Sequence, residues 1–292
     1  MSKAYSILCN YILIVYYISR LIRIYERGVF VMVPSMSIFF MAVSAAISIG
    51  LPIVLFLFLR KKYGLKIVPC LVGCAAFIVF ALVLEQLLHM AVLRPASDGN
   101  IALRETNPLL YCLYGIFAAG IFEETARLLS FNILKKKYGD FATGLSYGIG
   151  HGGIESIILA GVSLLSSIVF SIMINSGNTA IADGSPAIQK QFESLIGSES
   201  ILFLFSGIER ILAISVHISL SIIVWHAVMR KGKLWLYPVA ISLHALVNLS
   251  AVLYQVGIIT SVAIVEALVA ACAIIVAFVA FTVTKKLKPK PV

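Results

Sequence analysis

Three short stretches of this sequence set acids, imidazoles and an amide inside otherwise apolar runs. The first is Phe122-Glu123-Glu124-Thr125-Ala126-Arg127, the second Gly150-His151-Gly152-Gly153-Ile154-Glu155, the third His244-Ala245-Leu246-Val247-Asn248. On a helix, residues three or four apart are neighbours. Glu123 and Arg127 are therefore one pair, and Glu124 and Arg127 another. Two adjacent carboxylates cannot both ionise comfortably in a low dielectric unless a cation compensates. Arg127 can hold one of them charged and leave the other free for general-base work. His151 and Glu155 repeat the i,i+4 spacing. Gly152 and Gly153 between them remove side chains beside the histidine, so that a helix, a substrate backbone or water can come close. His244 and Asn248 repeat it again, and an asparagine amide is a suitable donor to a developing oxyanion. His217 lies in a fourth apolar run and completes the candidate set of Glu123, Glu124, Arg127, His151, Glu155, His217, His244 and Asn248.

These residues need elements to hold them, and the composition says which. The chain has 292 residues, 61% hydrophobic and 12% charged, with mean hydropathy +1.03. A soluble domain of that length needs far more polar cover. The expected fold is an all-α, polytopic bundle of about seven membrane-spanning helices. Apolar runs long enough to span cover 36–59, 67–93, 109–134, 141–174, 201–229, 234–256 and 258–284. The net charge of +10 resides mostly in short loops between these runs, as membrane topology demands, so nucleic acid is not an expected partner and the lipid bilayer is. Basic clusters at 60–66, 135–137, 230–233 and 285–290 follow the first, third, fifth and seventh runs, while the loops 94–108 and 175–200 balance their bases with acids. The positive-inside rule then places the C-terminus, with its basic tail 287–292, in the cytoplasm. Residues 1–35 fit poorly: the run 7–18 is too short to span, and Arg20, Arg23 and Arg27 follow it at once. An interfacial segment or a start-site artefact, with Met32 or Met36 as the beginning, is expected there, ahead of a membrane domain over 36–286. The five cysteines show no structural zinc spacing and read as small apolar fillers.

The span map also gives depth. Glu123 lies twelve residues before Lys135, His217 thirteen before Arg230, and His151 and His244 each about ten into their runs. At a rise of 1.5 Å per residue, all four sit roughly 15–20 Å from the basic boundary, near the middle of a core about 30 Å thick. Four polar side chains on four helices thus share one layer, and ionisable groups at that depth mark function. Glu85, His89 and Glu266 fall outside the layer, His226 reads as snorkelling past Arg230, and Glu209 and Arg210 read as interfacial charges.

A carboxylate pair, two or three histidines and an asparagine suit hydrolysis of a peptide bond within the membrane. One glutamate, helped by histidine, deprotonates water, and Asn248 with a histidine stabilises the oxyanion. No HExxH zinc helix is present. Histidines with a carboxylate are also the residue types that hold zinc.

The motifs EExxR at Glu123–Arg127, HGGxE at His151–Glu155 and HxxxN at His244–Asn248 resemble the YhfC family of membrane proteins. That family is grouped with glutamic-type intramembrane proteases, alongside the CAAX prenyl endopeptidases, the bacterial CPBP family and PrsW. The resemblance runs from about Met36 to Lys286. It implies a metal-independent endopeptidase of a bacterial cell membrane acting on a membrane-embedded or membrane-delivered peptide, with no cofactor. Glu123 would be the base, His151 and His244 would orient water or bind the oxyanion, Asn248 would complete the oxyanion hole, and Glu124 and Arg127 would support them. The arginine of the CAAX-type motif stands one residue further from its glutamates. Two other readings use the same residues: a transporter or export component with a buried Glu/His proton relay, or a catalytically inactive membrane receptor or immunity protein.

Overall fold

The computed structural model describes residues 32–96 and 100–287. It is all-α, with seven helices long and apolar enough to cross a membrane. They are span one (Ser35–Tyr63), two (Ile67–Val92), three (Pro108–Leu134), four (Phe141–Asn175), five (Ser200–Met229), six (Leu236–Gln255) and seven (Val262–Lys285). The only strand-like pairing among the described residues is an isolated bridge, Pro95 to Ile101. The expectations for residues 1–31 and for the last residues of the tail lie outside the described segments. Val33, which the sequence left in the uncertain segment, is buried. Its backbone N–H donates to Asn175 Oδ1 at 2.7 Å, and its carbonyl accepts from Asn175 Nδ2 at 3.0 Å.

Local chemistry sets the ends of several spans. Gly64 closes span one in the left-handed region at φ 67°, its N–H donating to the Arg60 carbonyl, a conformation open to glycine at no steric cost. Asn107 caps span three by accepting from Leu110 N–H, with Pro108 in the first turn. Asp140 caps span four through Thr143, whose N–H and hydroxyl both donate to Asp140 Oδ1. Two connections hold more structure than polar loops. Residues 94–108 include the helix Ala102–Thr106, and residues 175–200 include the helix Pro186–Gly197. In the latter, Phe192 and Leu195 are buried among Met41, Leu164 and Ile174, so the apolar positions hidden in that polar composition are what fold it.

The first half of span four lies in the centre of the bundle. Every residue from Ala142 to Gly153 is buried, and a helix that is buried all round belongs in a core. Small residues let its neighbours close on it. A Cβ at Gly150 would lie 2.0 Å from the Cys70 carbonyl oxygen of span two, and one at Gly152 would lie 2.8 Å from His217 Cβ of span five. Helices, then, are what approach the histidine through its glycines. The backbone of span four does not break at the HGG segment. It stays α-helical to Glu155, widens into π-helix over Ser156–Val162 and returns to α-helix at Ser163. A second π segment occupies Ile78–Glu85 of span two. Wide turns of this kind recur beside functional sites.

Candidate active site

Spans three, four, five and six meet at one cluster of buried polar side chains. Glu124, Arg127 and His151 are fully buried, while Glu123, His217 and His244 are each 5% exposed. The cluster has two halves joined by Arg127. In the first, His151 Nε2–H donates to Glu123 Oε2 at 2.8 Å, and His217 Nδ1 lies 3.5 Å from the same oxygen. In the second, His244 Nδ1–H donates to Glu124 Oε1 at 2.8 Å. Arg127 donates from Nη1 to Glu124 Oε1 at 2.7 Å, from Nη2 to His217 Nδ1 at 2.6 Å and from Nε to Ser221 Oγ at 3.2 Å. Its Nη2 is also 3.5 Å from Glu123 Oε2. One guanidinium thus reaches both carboxylates, as the i,i+3 and i,i+4 spacings predict.

Glu155, one turn beyond His151, reaches span five. Its Oε2 lies against His217 Nε2, and its other oxygen accepts from Arg210 Nη1 at 3.1 Å. Arg210 also pairs with Glu209. Arg127 carries only donors, so the His217 Nδ1 that it bonds is the nitrogen with the lone pair, and the ring proton sits on Nε2, beside the Glu155 carboxylate. Fixing a tautomer through the far ring nitrogen is the usual way to aim an imidazole.

Seven of the eight residues singled out from the sequence join this network. Asn248 does not. Its amide lies one turn along span six, half-buried, and reaches the Ile116 carbonyl only at 3.5 Å. Arg210 is the residue the sequence reading misplaced. It is not an interfacial charge: its side chain is 11% exposed and is tied to Glu155. Depth along a helix was legible, but the rotation that turns Arg210 toward span four was not. His226 is likewise buried at 7% exposure, beside Phe141 and Thr284, rather than snorkelling past Arg230. Glu85 and His89 pair with one another at 3.3 Å, and His89 also bonds Tyr114, apart from the cluster. Cys70 and Cys74 share a face of span two, as i,i+4 predicts, and Cys74 Sγ donates to the Gly150 carbonyl.

The comparisons with known proteins fit this geometry. A family model described as "YhfC intramembrane metalloprotease" matches residues 47–269. The chain belongs to this family. It is 40% identical over 243 residues to the "Uncharacterized membrane protein YhfC" of Bacillus subtilis (strain 168), an alignment covering 82% of this chain and 93% of that one. No solved structure matches. This YhfC-family chain is thus an integral membrane protein of a family described as proteases.

The family description names a metalloprotease, and the donors of the site bear on that name. Ligand atoms of Glu123, His151 and His217 lie within 4.8 Å of one another, all three residues buried. Two imidazoles and a carboxylate are a zinc-type donor set. The set fits, and the expectation of a metal-free site with no cofactor is not supported. One contact bears on loading: Arg127 Nη2–H occupies the His217 Nδ1 lone pair, so a cation on that nitrogen and this Arg127 hydrogen bond are mutually exclusive.

Proposed function

We propose that this YhfC-family protein is a metal-assisted intramembrane endopeptidase, which hydrolyses a peptide bond in a membrane-embedded or membrane-delivered substrate. The observation that carries this reading is the convergence of the Glu123, His151 and His217 ligand atoms within 4.8 Å at a fully packed depth of the bundle. These three residues would hold a divalent cation such as zinc. Bound there, such an ion supplies Lewis acidity, polarising a carbonyl and acidifying a water.

The chain's own residues would do the rest. Glu155 keeps the His217 Nε2 proton and so presents Nδ1 to the centre. Glu124 is the base: its Oε1 is held by Arg127 and His244, while its buried Oε2 has no partner and is the atom that takes the proton of the attacking water. Glu124 then gives that proton to the leaving amine as the C–N bond breaks, while His244, 2.8 Å away, holds its Oε1. Asn248 lends its loosely held amide to the oxyanion. The tight packing of span four against spans two and five over Gly144–Gly152 excludes bulk water on that side of the site, which strengthens each of these interactions.

One observation favours a second reading. With Arg127 on His217 Nδ1, Glu123 and His151 form a hydrogen-bonded acid–imidazole pair, the arrangement of a metal-free glutamic mechanism with Glu123 as the base. Purified protein offered a membrane-peptide library, with and without chelator, separates the two. The expected result is cleavage that chelator abolishes and zinc restores. Glu123→Gln should lose both bound zinc and cleavage, and Glu124→Gln should keep zinc while losing cleavage about a hundredfold or more. Chelator-resistant cleavage lost in Glu123→Gln would shift the assignment to the glutamic mechanism. No cleavage, with proton-dependent solute uptake in liposomes, would replace both readings with the transporter.

A further inference from the structure

The residues in the two halves of the site are at most 5% exposed, yet hydrolysis consumes water. A cavity of about 280 Å³ between spans four and five leads to it. Its inner end is Glu155, the partner of His217, and its walls carry Ser163, Ser167, Ser206, Glu209 and Arg210. From Glu155 to Ser167 the cavity follows span four for twelve residues, roughly 18 Å at 1.5 Å per residue. It runs away from Asp140 and toward the Asn175 end of the span.

Lipid is a poor occupant of such a space. A guanidinium and two carboxylates in contact with hydrocarbon are expensive, whereas facing a water-filled cavity they are tolerated. Ser167 donates its own proton to the Ser163 carbonyl at 2.9 Å, which turns its oxygen lone pairs outward as acceptors for water. The inner half of the cavity lies along the π-helical segment Ser156–Val162, with Leu159 and Ala160 in its wall. A water column there needs polar partners every few ångströms, and the serines together with the Glu155–Arg210–Glu209 cluster supply them.

We infer that this cavity is the port through which water reaches the site, opening at the membrane face opposite the basic loops, with Arg210 and Glu155 at its inner end. The port deepens the hydrolytic reading given above and rests on it for the use made of the water. Its wetness, however, is measurable without any cleavage assay.

Single cysteines at Ser163, Ser167 and Ser206, made in the full-length protein in native membranes, test it. Leu165→Cys and Val169→Cys are the controls, since those side chains are 48% and 54% exposed on the bilayer side of span four. A membrane-impermeant, charged methanethiosulfonate is applied from each face in turn, and adducts are read position by position by peptide mass spectrometry, so that the native cysteines do not interfere. The thiolate is the reactive form and needs water to exist, so the three port positions should react roughly tenfold or more faster than the two controls. They should do so only from the face opposite the basic loops. Equal rates at port and control positions, or labelling only from the basic-loop face, would overturn the inference. Labelling without peptide cleavage would leave the port standing and sink the hydrolytic reading, and cleavage without labelling would do the reverse.

Discussion

Arg127 is the residue on which the cluster depends most. It is fully buried and bonds to Glu124, His217 and Ser221 at once, with Glu123 at 3.5 Å. Removing one partner of a buried ion pair is far worse than never having built it, because the remaining charge is left uncompensated, at a cost of about 3–5 kcal/mol. Arg127→Ala is therefore expected to lower the thermal unfolding temperature of the detergent-solubilised protein sharply. Arg127→Lys should rescue little of it, since an ammonium cannot reproduce the planar fork that serves three acceptors. Adding Glu124→Gln to Arg127→Ala should recover part of the loss, because the orphaned charge is then gone. A double variant no more stable than Arg127→Ala would show that the loss comes from packing and not from charge. His217 shows the other side of residue-scale reasoning. Its role in the layer was legible from depth alone, but its tautomer follows from Arg127 and Glu155, contacts that depend on how spans three, four and five are rotated.

At the scale of elements, the crossing of spans two and four is the tightest joint near the site. A Cβ at Gly150 would meet the Cys70 carbonyl at 2.0 Å, which is backbone and cannot swing aside, whereas a Cβ at Gly50 of span one meets nothing within 4 Å. Gly150→Ala should therefore destabilise by at least about 2 kcal/mol through overpacking. Gly50→Ala should be neutral or stabilising by up to about 1 kcal/mol, from helix propensity alone. Equal melting temperatures for the two variants would refute that account. The cap of span four carries a pH signature. Burial pushes the Asp140 carboxyl up, but the bonds from Lys66 and Thr143 outweigh it and hold the group below its ordinary value. A carboxyl depressed in the folded state adds stability above its unfolded pKa and loses it as pH falls through the folded one. Asp140→Ala should thus cost about 1 kcal/mol at neutral pH, and the deficit should begin to shrink as the pH drops below about 4 and vanish only below the lowered pKa of the folded state. A deficit that persists unchanged into acid would mean the cap is not electrostatic. Which elements exist was legible because a bilayer demands long apolar runs. Where they bend was not: the π turns at Ile78–Glu85 and Ser156–Val162 leave no periodic mark, since a wholly apolar helix has no polar face whose drift would betray the extra residue. The helix Pro186–Gly197 was legible in Ile188, Phe192, Leu195 and Ile196, spaced i, i+4, i+7 and i+8 on one face, a pattern that the polar composition around it masks.

At the scale of the whole molecule, orientation decides which face feeds the port and from which side a substrate is presented. Arg60, Lys61 and Lys62 end span one, Lys135–Lys137 follow span three, and Lys66 pairs with Asp140 at the head of span four. That pair binds two basic loops to one another, so the folded structure places on a single face what charge counting assigned to one side. Arg230, Lys231 and Lys233 follow span five, an even number of crossings from span three, and must share that face, as must the end of span seven. Positive loops stay in the cytoplasm. We therefore predict that a green fluorescent protein fused to the C-terminus of the full-length chain is fluorescent in cells. Alkaline phosphatase inserted after Gly184, an exposed glycine in the loop between spans four and five, should be active, since that enzyme works only outside the cytoplasm. Because seven crossings join the two ends of the described bundle, the assignments cannot be reversed singly. An active phosphatase at the C-terminus with an inactive one after Gly184 would invert the molecule, and with it the side on which the cavity beside Glu155 opens.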